Sequence, residues 1–271
     1  TAKATDVYIY HGNEEREFCP HFTYHGFQYV ELTGLKPGIK PDLAMLTGCA
    51  IASSVPLTGS FECSNQMLNQ LWKNILWTQW DNLISVPTDC PQRDERMGWM
   101  GDAQVFSQTS MFNMDMAAFY TKWIRDIRDG QTESGAYPDI IPYSFKFARK
   151  LKFIKYLNIV NSPGWADCGV ILPWKLYLNY GDERILKDHY ESAKKFIDFV
   201  HAKNPHLIWR KEVSLNYGDW LNGDTFKTKN INYPKKGAEV PKDVFATSYF
   251  AFSTSILAKM AKVLNLDEDF E

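Results

Sequence analysis

The chain has 271 residues, 45% of them apolar, and a net charge of -2 from 30 basic and 32 acidic side chains, enough for one large domain or two smaller ones around a real core. So even a balance, without a polybasic run, argues against nucleic acid or an anionic membrane surface as a partner, and no apolar run is long enough to span a bilayer. Five scattered cysteines with no CxxC spacing and no matching His pattern imply no metal and no cofactor, and read as free thiols, most of them buried.

Residues 1–60 carry strand patterning. The stretches DVYIYHG, FTYHGFQYVELTG and LAMLTGCAIASSVPLTGSF alternate β-branched and aromatic residues between Gly, Pro and Asp, which predicts a β segment at the end of a β-sandwich domain or at its junction with the next. From Ser64 the period becomes helical. Leu68, Leu71, Trp72, Ile75 and Leu76 fall at i, i+3, i+4, i+7 and i+8, predicting a helix over roughly 65–84 with Ser64 as its cap.

Between this helix and the next lies VPTDCPQRDERMGWMGD, Val86 to Asp102, with four acids, two arginines, a tryptophan, two prolines and two glycines. The prolines and glycines predict an ordered loop rather than one continuous helix. Its acids, Asp89, Asp94, Glu95 and Asp102, admit two readings: a surface ion-pair cluster with Arg93 and Arg96, or a proton donor with its orienting shell. Like charges and an apolar wall such as Trp99 would keep a carboxyl protonated near neutral pH.

Further helical patterns follow at about 102–112, 115–130, 167–180, 183–203 and 244–264, separated by long aromatic-rich loops at 131–165 and 204–243. Helices paired in sequence, with long ordered loops between them, predict a toroid of helical hairpins with function in the loops at one end. Six helices are half of a twelve-helix (α/α)6 barrel, so the expected organisation is mainly α with an amino-terminal β segment: 1–60 β, and 61–271 the first half of an (α/α)6 catalytic barrel.

Two loops share the texture of the first. SPGWADCGVILPW sets Trp165 and Asp167 where a helix opens, and NYGDWLNGD sets Asp219, Trp220 and Asp224 in a turn. Aromatic residues make up 15% of the chain, and while most aromatics pack in cores, their faces also cover sugar C–H surfaces. Together the three loops suggest a shared aromatic and acidic pocket. None of the six histidines has a Ser or Cys partner motif, and no Gly-rich phosphate loop is present.

The segments PTDCPQRDERMGWMGDAQ, FYTKWIRDIRDGQ, YPDIIP, GWADCGVILPW, YGDERIL and GDWLN, preceded by HGFQYVEL, resemble in order and spacing the α-L-rhamnosidases of glycoside hydrolase family 78. Met97 and Met100 stand where Leu and Thr are common in that family. The resemblance implies an inverting hydrolase of terminal non-reducing α-L-rhamnose on an (α/α)6 barrel. By match of motif, Glu95 corresponds to the general acid, Asp89, Arg93 and Asp102 to residues holding sugar hydroxyls, and Trp99, Trp165 and Trp220 to aromatic walls. The general base is expected beyond Glu271. A noncatalytic carbohydrate-binding homologue, or another glycosidase or a lyase on the same barrel, remains as the alternative. No Asn-x-Ser/Thr site occurs, which leans toward a prokaryotic source, and Thr1 is not an initiator, so a removed leader leaves periplasmic, secreted and cytoplasmic locations open.

Overall fold

The computed structural model describes residues 4–12, 16–143, 159–213, 215–222 and 239–270. All six expected helices form: α1 Gln66–Asp81, α2 Met100–Asn113, α3 Ala117–Gly130, α4 Cys168–Tyr180, α5 Glu183–Lys203 and α6 Lys242–Val263, followed by a single turn, α7 Asp267–Phe270. The cap of α1 is Asn65 rather than Ser64: its side-chain oxygen accepts the Met67 N–H at 3.0 Å, the second donor that the first turn leaves unpaired. Asp182 caps α5 in the same way, accepting from the Arg184 N–H at 3.0 Å. Helix α4 ends on Gly181, whose φ of 68° is the left-handed conformation that glycine reaches without strain.

Helix α4 organises the packing. Val170, Ile171, Leu172 and Leu176 are all buried, so it is apolar on every side and lies against α2, α3, α5 and α6. Trp123 of α3, Phe196 of α5 and Trp209 are also sealed into this core. Inside α4, Pro173 has no N–H to give the Gly169 carbonyl one turn earlier. That carbonyl is instead 2.6 Å from Nε2 of the buried His189 on α5. Since a carbonyl only accepts, Nε2 carries the proton, and burial pushes the imidazole down to about 4, keeping it neutral.

The expected amino-terminal β segment is not seen. Among the described residues of the first sixty there is one 3-10 turn, Leu43–Met45, and one isolated bridge from Leu57 to Met114, while Val7, Ile9 and Tyr29 stay exposed. Alternating residues become a strand only where a neighbouring strand takes their N–H and C=O groups, and among the described residues the one β-bridge that pairs this segment with another is Leu57–Met114. The strands that do form are Leu83–Ile84 (β1) and Val86–Pro87 (β2), a two-residue antiparallel ladder that launches the acidic loop. All five cysteines are free, but only Cys168 is buried: Cys63 and Cys90 are half-buried, and Cys19 and Cys49 exposed, because four of the five lie outside the packed helices.

Candidate active site

The loop from Thr88 to Trp99 folds back on itself through backbone bonds, Asp89 N–H to the Met97 carbonyl at 2.9 Å and Arg96 N–H to the Cys90 carbonyl at 3.3 Å. It is fixed on one side by the segment around Asp139: Met100 N–H donates to the Asp139 carbonyl at 2.8 Å and Ile141 N–H to the Gly98 carbonyl at 2.9 Å. A Cβ on Gly98 would collide with the Ile141 carbonyl. On the other side Arg96, itself at a φ of 52°, donates to the Tyr24 carbonyl at 2.6 Å and the Pro91 carbonyl at 3.2 Å, with its guanidinium 3.8 Å from the Tyr24 ring centroid. The surface ion-pair reading of this loop therefore fails for Arg96, which binds carbonyls and a ring rather than a carboxylate.

Glu95 is the most firmly held acid of the loop. One oxygen accepts the Trp99 indole N–H at 2.5 Å; the other accepts the backbone N–H groups of Cys90 at 3.0 Å and Met97 at 3.2 Å. Trp99 is thus also a hydrogen-bond donor to the acid: the indole meets Glu95 with its polar edge. Asp89 sits beside it, and Asp89, Cys90 and Glu95 each bring a potential ligand atom within 4.8 Å of the others. The Cys90 thiol is 3.2 Å from Asp89 Oδ2, and its sulfur accepts from Arg93 Nη2 at 3.4 Å. Arg93 is exposed, and its Nη2 donates to this sulfur.

Asp102, in the first turn of α2, keeps a solvent-facing surface while protein crowds its other sides. That desolvation, followed by the negative charges of Asp89 and Glu95, holds its carboxyl above the usual range. Three carboxyl groups are thereby assembled from one loop and the helix it enters.

The aromatic residues of three loops meet at a fourth that sequence reading passed over. Tyr217 places its ring centroid 6.0 Å from Trp99, 4.5 Å from Trp165 and 5.6 Å from Trp220. Trp165 lies flat over the start of α2, where a Cβ on Gly101 would come within 2.5 Å of the indole. Behind this group Asp139 is wholly buried; its oxygens accept the Ser162 N–H at 2.9 Å and the Ser162 hydroxyl at 2.6 Å, and the Tyr217 hydroxyl approaches it as well. Burial pushes the Asp139 carboxyl up to about 7 against these donors.

The shared pocket is aromatic, but its acids come only from the first loop and the helix it enters. Asp167 is buried, takes the Gly164 N–H at 2.7 Å and the Ser253 hydroxyl at 2.5 Å, and ties the start of α4 to α6, which removes it from the pocket. Asp219 accepts from Asn222 at 2.6 Å and from the Val240 N–H at 3.4 Å, pinning its own turn. Asp224 lies outside the described residues. A hollow of about 940 Å³ along α5, between Thr132, Lys195, Phe199 and Val213, touches none of the candidate residues; the convergence of acids and indoles, rather than size, marks the site.

Residues 56–271 match the family model of the bacterial alpha-L-rhamnosidase 6 hairpin glycosidase domain, and residues 1–52 that of the bacterial alpha-L-rhamnosidase concanavalin-like domain. The chain belongs to this α-L-rhamnosidase family. An alpha-L-rhamnosidase of Streptomyces avermitilis is 41% identical over 268 residues, covering 98% of the chain and 23% of that protein. One from Formosa agariphila is 36% identical over 272 residues, covering 99% and 27%. Among solved structures, the alpha-L-rhamnosidase from Dictyoglumus thermophilum superposes with a TM-score of 0.70 at 38% identity, over 86% of this chain and 24% of that one. The Streptomyces avermitilis alpha-L-rhamnosidase complexed with L-rhamnose also gives 0.70, at 39% identity over 84% and 20%.

The chain therefore spans about a quarter of the length of the curated family members it matches. Its helical layout fits part of the (α/α)6 fold of the family. Leu68 and Leu71 of α1, Val105 and Phe112 of α2, and Val244 and Phe252 of α6 remain exposed. Sequence reading had not placed Tyr217, Asp139 or Cys90 at the site, and had put Arg96 in the ion-pair cluster. Tyr217 and Cys90 stand inside stretches already singled out, Cys90 between Asp89 and Pro91 and Tyr217 between Asn216 and Gly218.

Proposed function

We propose that this chain carries the sugar-binding and proton-donating half of an α-L-rhamnosidase, removing terminal non-reducing α-L-rhamnose with inversion. The observation that carries the reading is Glu95, held by three N–H donors beside Asp89 and at the foot of an indole wall. Glu95 acts as the general acid on the leaving oxygen. Asp89, Arg93 and Asp102 are hydrogen-bonding groups for the sugar hydroxyls, while Trp99, Trp165 and Trp220, gathered around Tyr217, cover its apolar edge, including the C6 methyl.

Asp89 is too near to be the base. An inverting reaction needs roughly 6.5–9.5 Å between the two carboxyl groups so that water fits across the ring, whereas Asp89 and Glu95 approach within 4.8 Å. The base is assigned to the remaining length that the family members possess. A solved relative complexed with L-rhamnose supports rhamnose as the bound sugar, and the paired acid with its orienting donors favours an enzyme over a pure binder, which has no use for a proton donor.

The test is Glu95→Gln in the whole protein, assayed on an unactivated rhamnoside, with the released anomer followed by proton NMR. The amide keeps the shape but has no proton to transfer, so turnover falls by about 100-fold or more while rhamnose binding stays within a few-fold. Wild-type turnover in the variant removes Glu95 from the role, and release of the retained anomer removes inversion.

A further inference from the structure

We propose that Cys90 is a positioning residue whose side chain sets the two groups that hold the sugar, Asp89 and Arg93, while its backbone separately sets the proton donor Glu95. The inference rests on the rhamnosidase reading and deepens it. The thiol hydrogen goes to Asp89 Oδ2, 3.2 Å from the sulfur, since the only hydrogen shared between a thiol and a carboxylate here belongs to sulfur. The sulfur lone pairs take the Arg93 Nη2 hydrogen at 3.4 Å. The Cys90 N–H, independently, donates to Glu95 Oε2 at 3.0 Å.

One residue thus touches all three charged groups through three different atoms or bonds. Asp89 and Arg93 lie on an exposed loop, and for Arg93 the sulfur is the side-chain contact that gives an otherwise solvent-facing guanidinium a fixed direction. Burial, together with the Asp89 carboxylate, raises the thiol above its ordinary range, so it stays protonated and available as a donor rather than becoming a second anion beside Asp89. The division of labour makes the effect separable: removing the sulfur frees Asp89 and Arg93 but leaves the N–H that holds Glu95.

The whole protein carrying Cys90→Ala is compared with Cys90→Ser and wild type, by KM and kcat on p-nitrophenyl α-L-rhamnoside, by calorimetric titration with L-rhamnose, and by thermal melting. Cys90→Ala raises KM and weakens rhamnose binding by roughly 10-fold, the loss of one or two hydrogen bonds to charged groups, with kcat within a few-fold and an unchanged melting temperature. Cys90→Ser, whose hydroxyl donates and accepts like the thiol, recovers most of the binding. The inference is overturned if Cys90→Ala behaves as wild type, if it lowers kcat with KM unchanged, or if both variants melt early and bind equally poorly. A wild-type protein that neither binds nor hydrolyses the rhamnoside overturns the rhamnosidase reading and this inference with it, whereas an active wild type with an indifferent Cys90→Ala overturns this inference alone.

Discussion

Asp139→Asn should change how stability depends on pH far more than it changes stability at any one acidic pH. Burial raises the folded carboxyl from 3.8 to about 7, and the hydrogen bonds from Ser162 offset only part of that shift. Because the folded value lies above the unfolded one, the native state keeps a proton that the unfolded chain gives up. The stabilisation this provides is complete below pH 3.8 and is lost as pH rises through 7. About three units at 1.36 kcal/mol each amount to roughly 4 kcal/mol in all, of which about 2–3 kcal/mol is lost between pH 5 and pH 8. Asparagine never titrates, keeps an oxygen for the Ser162 N–H, and turns its amide hydrogens toward the Ser162 hydroxyl. Asp167 and His189 titrate identically in both proteins and cancel in the comparison. Denaturant unfolding of wild type and variant at pH 5 and pH 8 should therefore show the variant gaining about 2–3 kcal/mol on wild type across that interval, or about 5–10 °C in melting temperature for a domain of this size. Parallel pH dependences in the two proteins would refute the claim that Asp139 is buried as an acid.

Two further changes bear on the site. Gly101→Ala should push Trp165 off the first turn of α2, because the new Cβ would lie 2.5 Å from a ring that Tyr217 already holds at 4.5 Å; a loss of about 1–3 kcal/mol and an altered near-UV tryptophan signal are expected, and an unchanged spectrum counts against the packing. Trp99→Phe keeps a ring beside Tyr217 but removes the N–H given to Glu95. A hydrogen bond to a charged group is worth about 1.5–3 kcal/mol, so kcat in the whole protein should fall roughly 10- to 100-fold with KM little altered; equal turnover would reduce Trp99 to a wall.

Helices α1, α3 and α5 were legible because each repeats apolar residues at the helical period, which survives whatever the neighbours are, and α4 because it is an apolar run long enough for a buried helix. The strands expected over 1–60 do not form among the described residues, because alternation states only a preference until a hydrogen-bonding partner takes it up. Glu95, Asp89 and Trp99 could be placed by their shared loop, yet the direction of the Trp99 indole edge depends on how that loop folds back between Asp89 and Met97. Asp167 and Asp89 look alike in sequence, each an Asp beside a Cys. One is sealed under Ser253 and the other faces its neighbours on the loop, a difference made by tertiary packing alone. Tyr217 was hidden among 14 tyrosines, and only the convergence of three indoles sets it apart.

The substitution of a side chain for a missing main-chain donor in α4 has a historical consequence. With Pro173 in place, loss of His189 leaves the Gly169 carbonyl without a partner inside the core. With His189 in place, replacing Pro173 by a residue that has an N–H sets two donors on one oxygen and leaves the imidazole redundant. So long as Pro173 stands, His189 cannot be lost without passing through a worse intermediate, whereas the two lone pairs of the Gly169 carbonyl tolerate both donors once the proline is gone. The dependence should therefore run one way: lineages that keep the proline keep the histidine, and the histidine becomes free to vary only where the proline has gone.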